Sequence, residues 1–304
     1  MRFTPSILAG CLGGILSATA FGQADNPRVE FTEFDLDNGL HVILHEDHST
    51  PLVAVTVLYH VGSKNEREDR TGMAHFFEHL LFEGSAHIDR GEFDSYVENA
   101  GGILNANTSQ DRTFYYELLP SNHLELGLWL ESERMLHAKI EQIGIDTQNE
   151  VVKEEKRQRN DNQPYGQLFN ETMAHSYSEH PYRWTPIGSM EHLDAADYDD
   201  FMEFYETFYV PENATLSIAG DLDIATTRDL IEQYFGDIPR GGKEIPRPSV
   251  IEPERTSEVR DTVCMARTGS PWWCRLTPFL PRERLTTTPW TCSIRCSAMA
   301  TAPA

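Results

Sequence analysis

The chain has 304 residues, with 48 acidic against 25 basic side chains and a formal charge of −23. That length holds the core of one large domain or of two modest ones. The charge argues against nucleic acid as a partner, because phosphates would be repelled rather than neutralised; it serves solubility first, with a preference for basic polypeptides as the lesser reading.

The N-terminus reads as an export signal over residues 1–24. Arg2 supplies a short basic region, Ile7 to Ala20 is apolar and small, and Gly22-Gln23-Ala24 offers the small residues that cleavage needs. Leu8-Ala9-Gly10-Cys11 resembles a lipoprotein box, but the apolar run continues past Cys11, so cleavage near Ala24 is preferred to lipidation. The expectation is an exported protein, periplasmic or secreted, with no membrane span, since no other segment is apolar enough to cross a bilayer.

From Val29 to Phe34 and from His41 to Leu44 the sequence is strand-like, and Asn38-Gly39 between them predicts a hairpin with both turn residues at positive φ. Leu52 to Tyr59 alternates, with Val53, Val55, Val57 and Tyr59 on one face. Gly72 to Phe82 changes period: Met73, Phe76, Phe77, Leu80 and Leu81 recur at helical spacing. A second helix over Glu92–Asn99 is closed by Gly101-Gly102, and Ile103–Thr108 pairs with Arg112–Leu119 as strands, stopped by Pro120. Helices are predicted over 122–138, 146–160, 165–178, 197–208 and 226–235, with a strand from Asn213 to Ala219. Strands and helices alternate in blocks, which predicts an α+β fold: a largely antiparallel sheet covered by helices on one side.

Composition breaks near residue 264. The last 41 residues hold five Arg and one acidic residue, Glu283, together with Trp272, Trp273, Trp290 and Cys264, Cys274, Cys292 and Cys296. No helical or strand period is visible there, and the segment reads as an aberrant or disordered tail, translated out of frame. Residues 28–250 are thus the folded domain and 251–263 the start of a linker. The cysteine count allows two disulfides in the tail, which its irregularity discounts.

His75 and His79 lie one helical turn apart, so both imidazoles leave one face and can bite a single ion. Glu78 flanks that face, where its carboxylate reaches water rather than the metal. Two His and a Glu on a helix that must also face a core are costly unless something binds them. The ordering inverts the common His-Glu-x-x-His zinc helix, and a catalytic zinc needs a third protein ligand and an open position. Glu150, Glu154 and Glu155 all qualify by type.

The segment His75-Phe76-Phe77-Glu78-His79-Leu80-Leu81-Phe82-Glu83-Gly84, with Gly101-Gly102-x-x-Asn105-Ala106-x-Thr108-Ser109, Val151-Val152-Lys153-Glu154-Glu155 and Tyr209-x-Pro211-x-Asn213-Ala214, resembles the pitrilysin family of zinc peptidases. Asn162-Gln163-Pro164-Tyr165-Gly166 is similar to its bacterial exported branch. The resemblance covers residues 28–260 and implies one zinc per domain, held by His75, His79 and Glu155, with Glu78 as general base. Many family members carry an acidic residue seven positions before the third ligand; here that position is Gln148. The family binds extended peptides by adding a strand to a sheet edge, which implies Asn105, Ala106 and Thr108 as substrate-binding residues.

The resemblance further implies an endopeptidase for extended or unfolded polypeptides, working with a second pitrilysin-like half that this sequence does not show. The alternatives are a zinc-binding but inactive fragment and a non-catalytic partner subunit.

Overall fold

Six strands form one mixed sheet in the computed structural model, which describes residues 29–254 and, beyond them, the backbone of 272–277 and 293–298. The expected signal segment 1–24, with Cys11, and most of the tail lie outside the described residues. A compact unit begins at Phe31.

The strands are β1 (Thr32–Asp35), β2 (His41–Glu46), β3 (Leu52–Tyr59), β4 (Ile103–Thr108), β5 (Thr113–Pro120) and β6 (Ala214–Gly220), in the order β1-β2-β6-β3-β5-β4. All neighbouring pairs are antiparallel except β2 with β6, which run parallel because β6 returns only after the helical block. The alternation read in β3 is realised. Val53, Val55, Val57 and Tyr59 are fully buried on the helix-covered face beside Tyr115, Leu119, Leu216 and Ile218, while Ala54, Thr56 and Leu58 on the opposite face are only half-buried. The α+β reading therefore holds.

The helices are α1 (Met73–Leu80), α2 (Glu92–Asn99), α3 (Leu124–Leu136), α4 (Gln142–Lys156), α5 (Leu168–Ser176), α6 (Met190–Ala195), α7 (Tyr198–Phe208) and α8 (Ile224–Phe235). Asp197 starts α7 with a reciprocal capping box to Asp200, and Asp223 caps α8 through the N–H of Thr226. α4 begins at Gln142, earlier than the sequence suggested, and runs on into a π-helical turn, Arg157–Asp161. α6 was not expected; six residues are too few to show an apolar period.

Two further expectations need correction. The β1–β2 hairpin is real, but of the pair Asn38-Gly39 only Gly39 has positive φ, at 89°. Its connection spans Leu36 to Leu40, with Leu36 donating to the Leu40 carbonyl. Asn38 lies in a turn closed by the Gly39 N–H on the Leu36 carbonyl at 2.9 Å, and its amide also donates to the carbonyls of Phe235 and Ile238, which ties the turn to a distant helix end. In the tail, β7 (Trp272–Thr277) and β8 (Ser293–Ala298) pair antiparallel where no strand period is visible. Main-chain pairing in an isolated ribbon does not require a buried face, so alternation is no guide to it.

Beneath the sheet, Arg134 is completely buried. It donates to Glu131 at 3.0 Å and to the carbonyl of Leu81 at 2.9 Å, lies 3.6 Å from Glu117, and is enclosed by the rings of Phe82, Phe93 and Tyr115. Burial and the nearby Glu131 push the Glu117 carboxyl well above its usual range, with the Arg134 guanidinium opposing. Arg134→Ala is expected to destabilise the fold by about 3–5 kcal/mol, since it strands a buried carboxylate. Urea unfolding of the variant checks this.

Candidate metal centre

Helix α1 is held at both ends and in the middle. Its entry, Gly72, has φ 101° and meets Gly188, where an added Cβ would fall 2.4 Å from the Gly72 backbone. The buried Glu66 carboxylate accepts from the N–H groups of Gly72 and Ala74, both at 2.9 Å, and so caps the helix N-terminus. Burial pushes the Glu66 carboxyl up to about 8, against the pull of those two donors. The Tyr115 hydroxyl donates to the Phe77 carbonyl at 3.0 Å, and Arg134 holds the Leu81 carbonyl. Phe76 and Phe77 pack on Phe201 and Phe204 of α7, which leaves the His75–His79 face turned toward α4.

There the two imidazoles meet Glu155. Nε2 of His79 lies 3.1 Å and Nε2 of His75 lies 3.4 Å from the same oxygen, Glu155 Oε2. Tetrahedral zinc with bonds near 2.0–2.1 Å sets its ligand atoms about 3.3 Å apart, close to both of these distances. Burial pushes His75 down to about 4. Burial works the other way on Glu155, but the hydrogen bond from His79 and the adjacent charges hold its carboxyl below the usual range. Neutral imidazole beside ionised carboxylate is the protonation state a metal requires. Nδ1 of His75 is buried with no partner among the described residues, so packing and whatever Nε2 binds orient that ring.

Of the acidic residues left open by type, only Glu155 reaches the imidazoles. Glu154 is exposed and takes hydrogen bonds from Arg157 and Gln158, and Glu150 is exposed beside Lys153. Glu155 Oε1, the other oxygen, is 2.7 Å from Arg159 on the π-helical turn. Sequence reasoning missed Arg159, although its four-residue spacing from Glu155 was a usable signal. It also missed Glu66, whose capping of α1 depends on how the entry loop folds back and leaves no spacing pattern.

Glu78 sits beside the trio, half-buried, and accepts a 2.6 Å hydrogen bond from the hydroxyl of Thr108 on β4. Burial raises its carboxyl above the ordinary value, with the Thr108 bond opposing. The structure thus places the Thr108 hydroxyl on the candidate base, a neighbour its position in the edge strand did not announce. Asn105 is exposed on the same strand and its side-chain oxygen accepts from the N–H of Ala106 at 2.8 Å. Thr108→Val keeps the shape of the side chain and removes one hydrogen bond to a charged group, worth about 1.5–3 kcal/mol. The expected result is a fall in kcat of about tenfold or more with KM and zinc content little changed, read from steady-state kinetics and metal analysis.

Gln148 does not contact the trio. Its amide donates to the buried Glu83, which also pairs with Arg90, while its own oxygen is buried without a partner among the described residues. The amide therefore buttresses the α1–α2 connection.

Known peptidases resemble this chain over most of its described residues. Residues 41–185 match the family model described as insulinase (peptidase family M16), and residues 195–264 match the one described as peptidase M16 inactive domain. The zinc protease PqqE of Helicobacter pylori is 34% identical over 79% of this chain and 54% of its own length. A crystal structure of a protease from Helicobacter pylori superposes with a TM-score of 0.72 at 34% identity, covering 74% of this chain and 55% of that one. The first half of the periplasmic protease PqqL from Escherichia coli gives a TM-score of 0.65 at 25% identity, over 72% of this chain and 48% of that one. The chain spans about half the length of the curated relatives it matches.

Proposed function

The chain belongs to the insulinase family of peptidases, family M16, and from that premise we propose that it is the zinc-bearing half of an exported metalloendopeptidase. The observation that carries the reading is the convergence of His75, His79 and Glu155 on one point with Glu78 beside it. Zinc in such a trio supplies a Lewis acid that polarises a peptide carbonyl and acidifies water. Glu78 takes the proton of the attacking water and returns it to the leaving amine. Thr108 holds the Glu78 carboxylate, and Arg159 holds the outer oxygen of Glu155 so that the inner one is left to the metal.

Strand β4 lies at one edge of the sheet, the other being β1, and an edge strand is where an extended peptide can add through main-chain hydrogen bonds. Asn105 and Ala106 then lie along the docked peptide, and the Asn105 oxygen must release the Ala106 N–H if that group is to pair with it. Main-chain recognition makes the preference broad and confines it to extended or unfolded polypeptides.

Matching about half of each relative's length supports a requirement for a second, homologous half. The chain supplied with such a half should cleave a fluorescence-quenched peptide and lose that activity to a chelator; zinc bound with no turnover in the assembled enzyme would overturn the reading. The same observation favours a second reading, a zinc-binding but catalytically inactive fragment, which differs in predicting bound zinc and no turnover even after the second half is added. Among the described residues no helix is long and apolar enough to cross a membrane. The signal-like N-terminus supports export. The family match ends at residue 264, close to where the composition breaks, which supports reading the tail as out of frame; the DNA in the other frames past codon 263 tests that.

A further inference from the structure

A second cluster with the same donor chemistry lies where the chain leaves α1. The turn Ser85–Ile88 closes on the C-terminal end of α3. Nδ1 of His87 is 2.9 Å from Glu133 Oε1, the His87 and His137 rings meet edge-on at 5.4 Å, and one ligand atom from each of the three residues falls within a common 4.8 Å. Glu133 and His137 are four residues apart at the helix end, the same bite that His75 and His79 use in α1.

The cluster is built rather than incidental. The Glu133 side chain is only 7% exposed, and its second oxygen accepts from the Ser85 hydroxyl at 2.6 Å. That hydroxyl in turn accepts from the backbone N–H groups of His87 and Ile88. His137 is fixed through its main chain: its N–H donates to the Glu133 carbonyl at 2.8 Å, and its carbonyl accepts from Ala86 at 3.0 Å. Ser85 also forms a bridge with Ala138, so the two segments are already aligned. A buried carboxylate at a helix C-terminus, whose carbonyls add negative potential, is an unfavourable place for further negative charge and a favourable one for a cation.

We infer that His87, Glu133 and His137 form a second divalent transition-metal site. Two imidazoles and one carboxylate suit zinc, with nickel and copper as competitors of the same chemistry. His87 is 63% exposed, so the remaining coordination positions open to water and the ion exchanges with solvent. Bound there, the metal staples the connection between α1 and α2 to the end of α3, and the site stands whether or not the chain hydrolyses peptides.

Zinc titration of the purified full chain, with Co2+ absorption as a spectroscopic check, tests the inference. The expected result is a zinc equivalent beyond the one assigned to His75, His79 and Glu155, bound with a Kd below about 10 µM. His87→Gln, at an exposed position, should remove that equivalent alone, and His137→Ala should do the same. His79→Ala should remove the other and leave this one. Zinc beyond the first equivalent should raise the Tm of the unaltered chain and not that of His87→Gln. A single equivalent in the unaltered chain, or a stoichiometry indifferent to His87→Gln, would show only a His–Glu hydrogen bond and overturn the inference.

Discussion

Replacing Glu78 by Gln is expected to leave zinc bound and to remove peptide hydrolysis from the assembled enzyme. Gln has the same length and can still accept the Thr108 hydrogen bond through its oxygen, so the geometry around α1 is retained. It cannot take a proton from water. General-base assistance is worth about 10²–10⁴-fold, and a loss of that size in kcat, with KM near its original value, is the predicted signature. Glu78 stands outside the trio whose ligand atoms converge, so the zinc content should not change. Metal analysis and quenched-peptide kinetics on the same preparation give both numbers. Retained turnover would mean that another group accepts the proton, and loss of zinc would mean that Glu78 is a ligand.

The switch from period two to a helical period at Gly72 made helix α1 readable, because the apolar residues there had to face a core. The choice of Glu155 over Glu154 and Glu150 was also within reach. In α4, Ile145 and Val152 are buried, and helical phase puts Gln148 and Glu155 on their stripe and the other two acids on the opposite side. Residue type alone had left the three open. What could not be read is long-range. The capping of α1 by Glu66 is local in number but depends on the fold of the entry loop, and the grip of Tyr115 and Arg134 on its carbonyls joins segments dozens of residues apart. The parallel pairing of β2 with β6 and the hold of Asn38 on the end of α8 are set by how the helical block returns the chain to the sheet, which no window of sequence contains. His87 and His137 belong to the same class, two unremarkable histidines in different elements, brought together by a backbone bridge.

The second large effect is expected at Glu155. Glu155→Ala should cost the enzyme the zinc held by His75 and His79, and with it all hydrolysis, while the chain stays folded. Loss of a supporting partner behind a ligand already weakens metal binding by about 10–100-fold, and Glu155 is proposed as a ligand itself, with the only carboxylate oxygen among the described residues that faces both imidazoles. Its removal leaves two neutral donors and a net charge of +2 on any ion between them. Arg159, released from its 2.7 Å contact with Oε1, then brings a positive charge toward the same point and opposes the cation further. The fold should tolerate the change, because Glu155 is only partly buried and α4 keeps Ile145 and Val152 in the core. Glu154→Ala is the matched control one residue away: its carboxylate serves only Arg157 and Gln158 on the exposed side, so zinc content and kcat should stay as they were. Zinc analysis of the two variants side by side, with circular dichroism to confirm folding, decides between them, and a metal centre that survives Glu155→Ala but fails in Glu154→Ala would reverse the assignment.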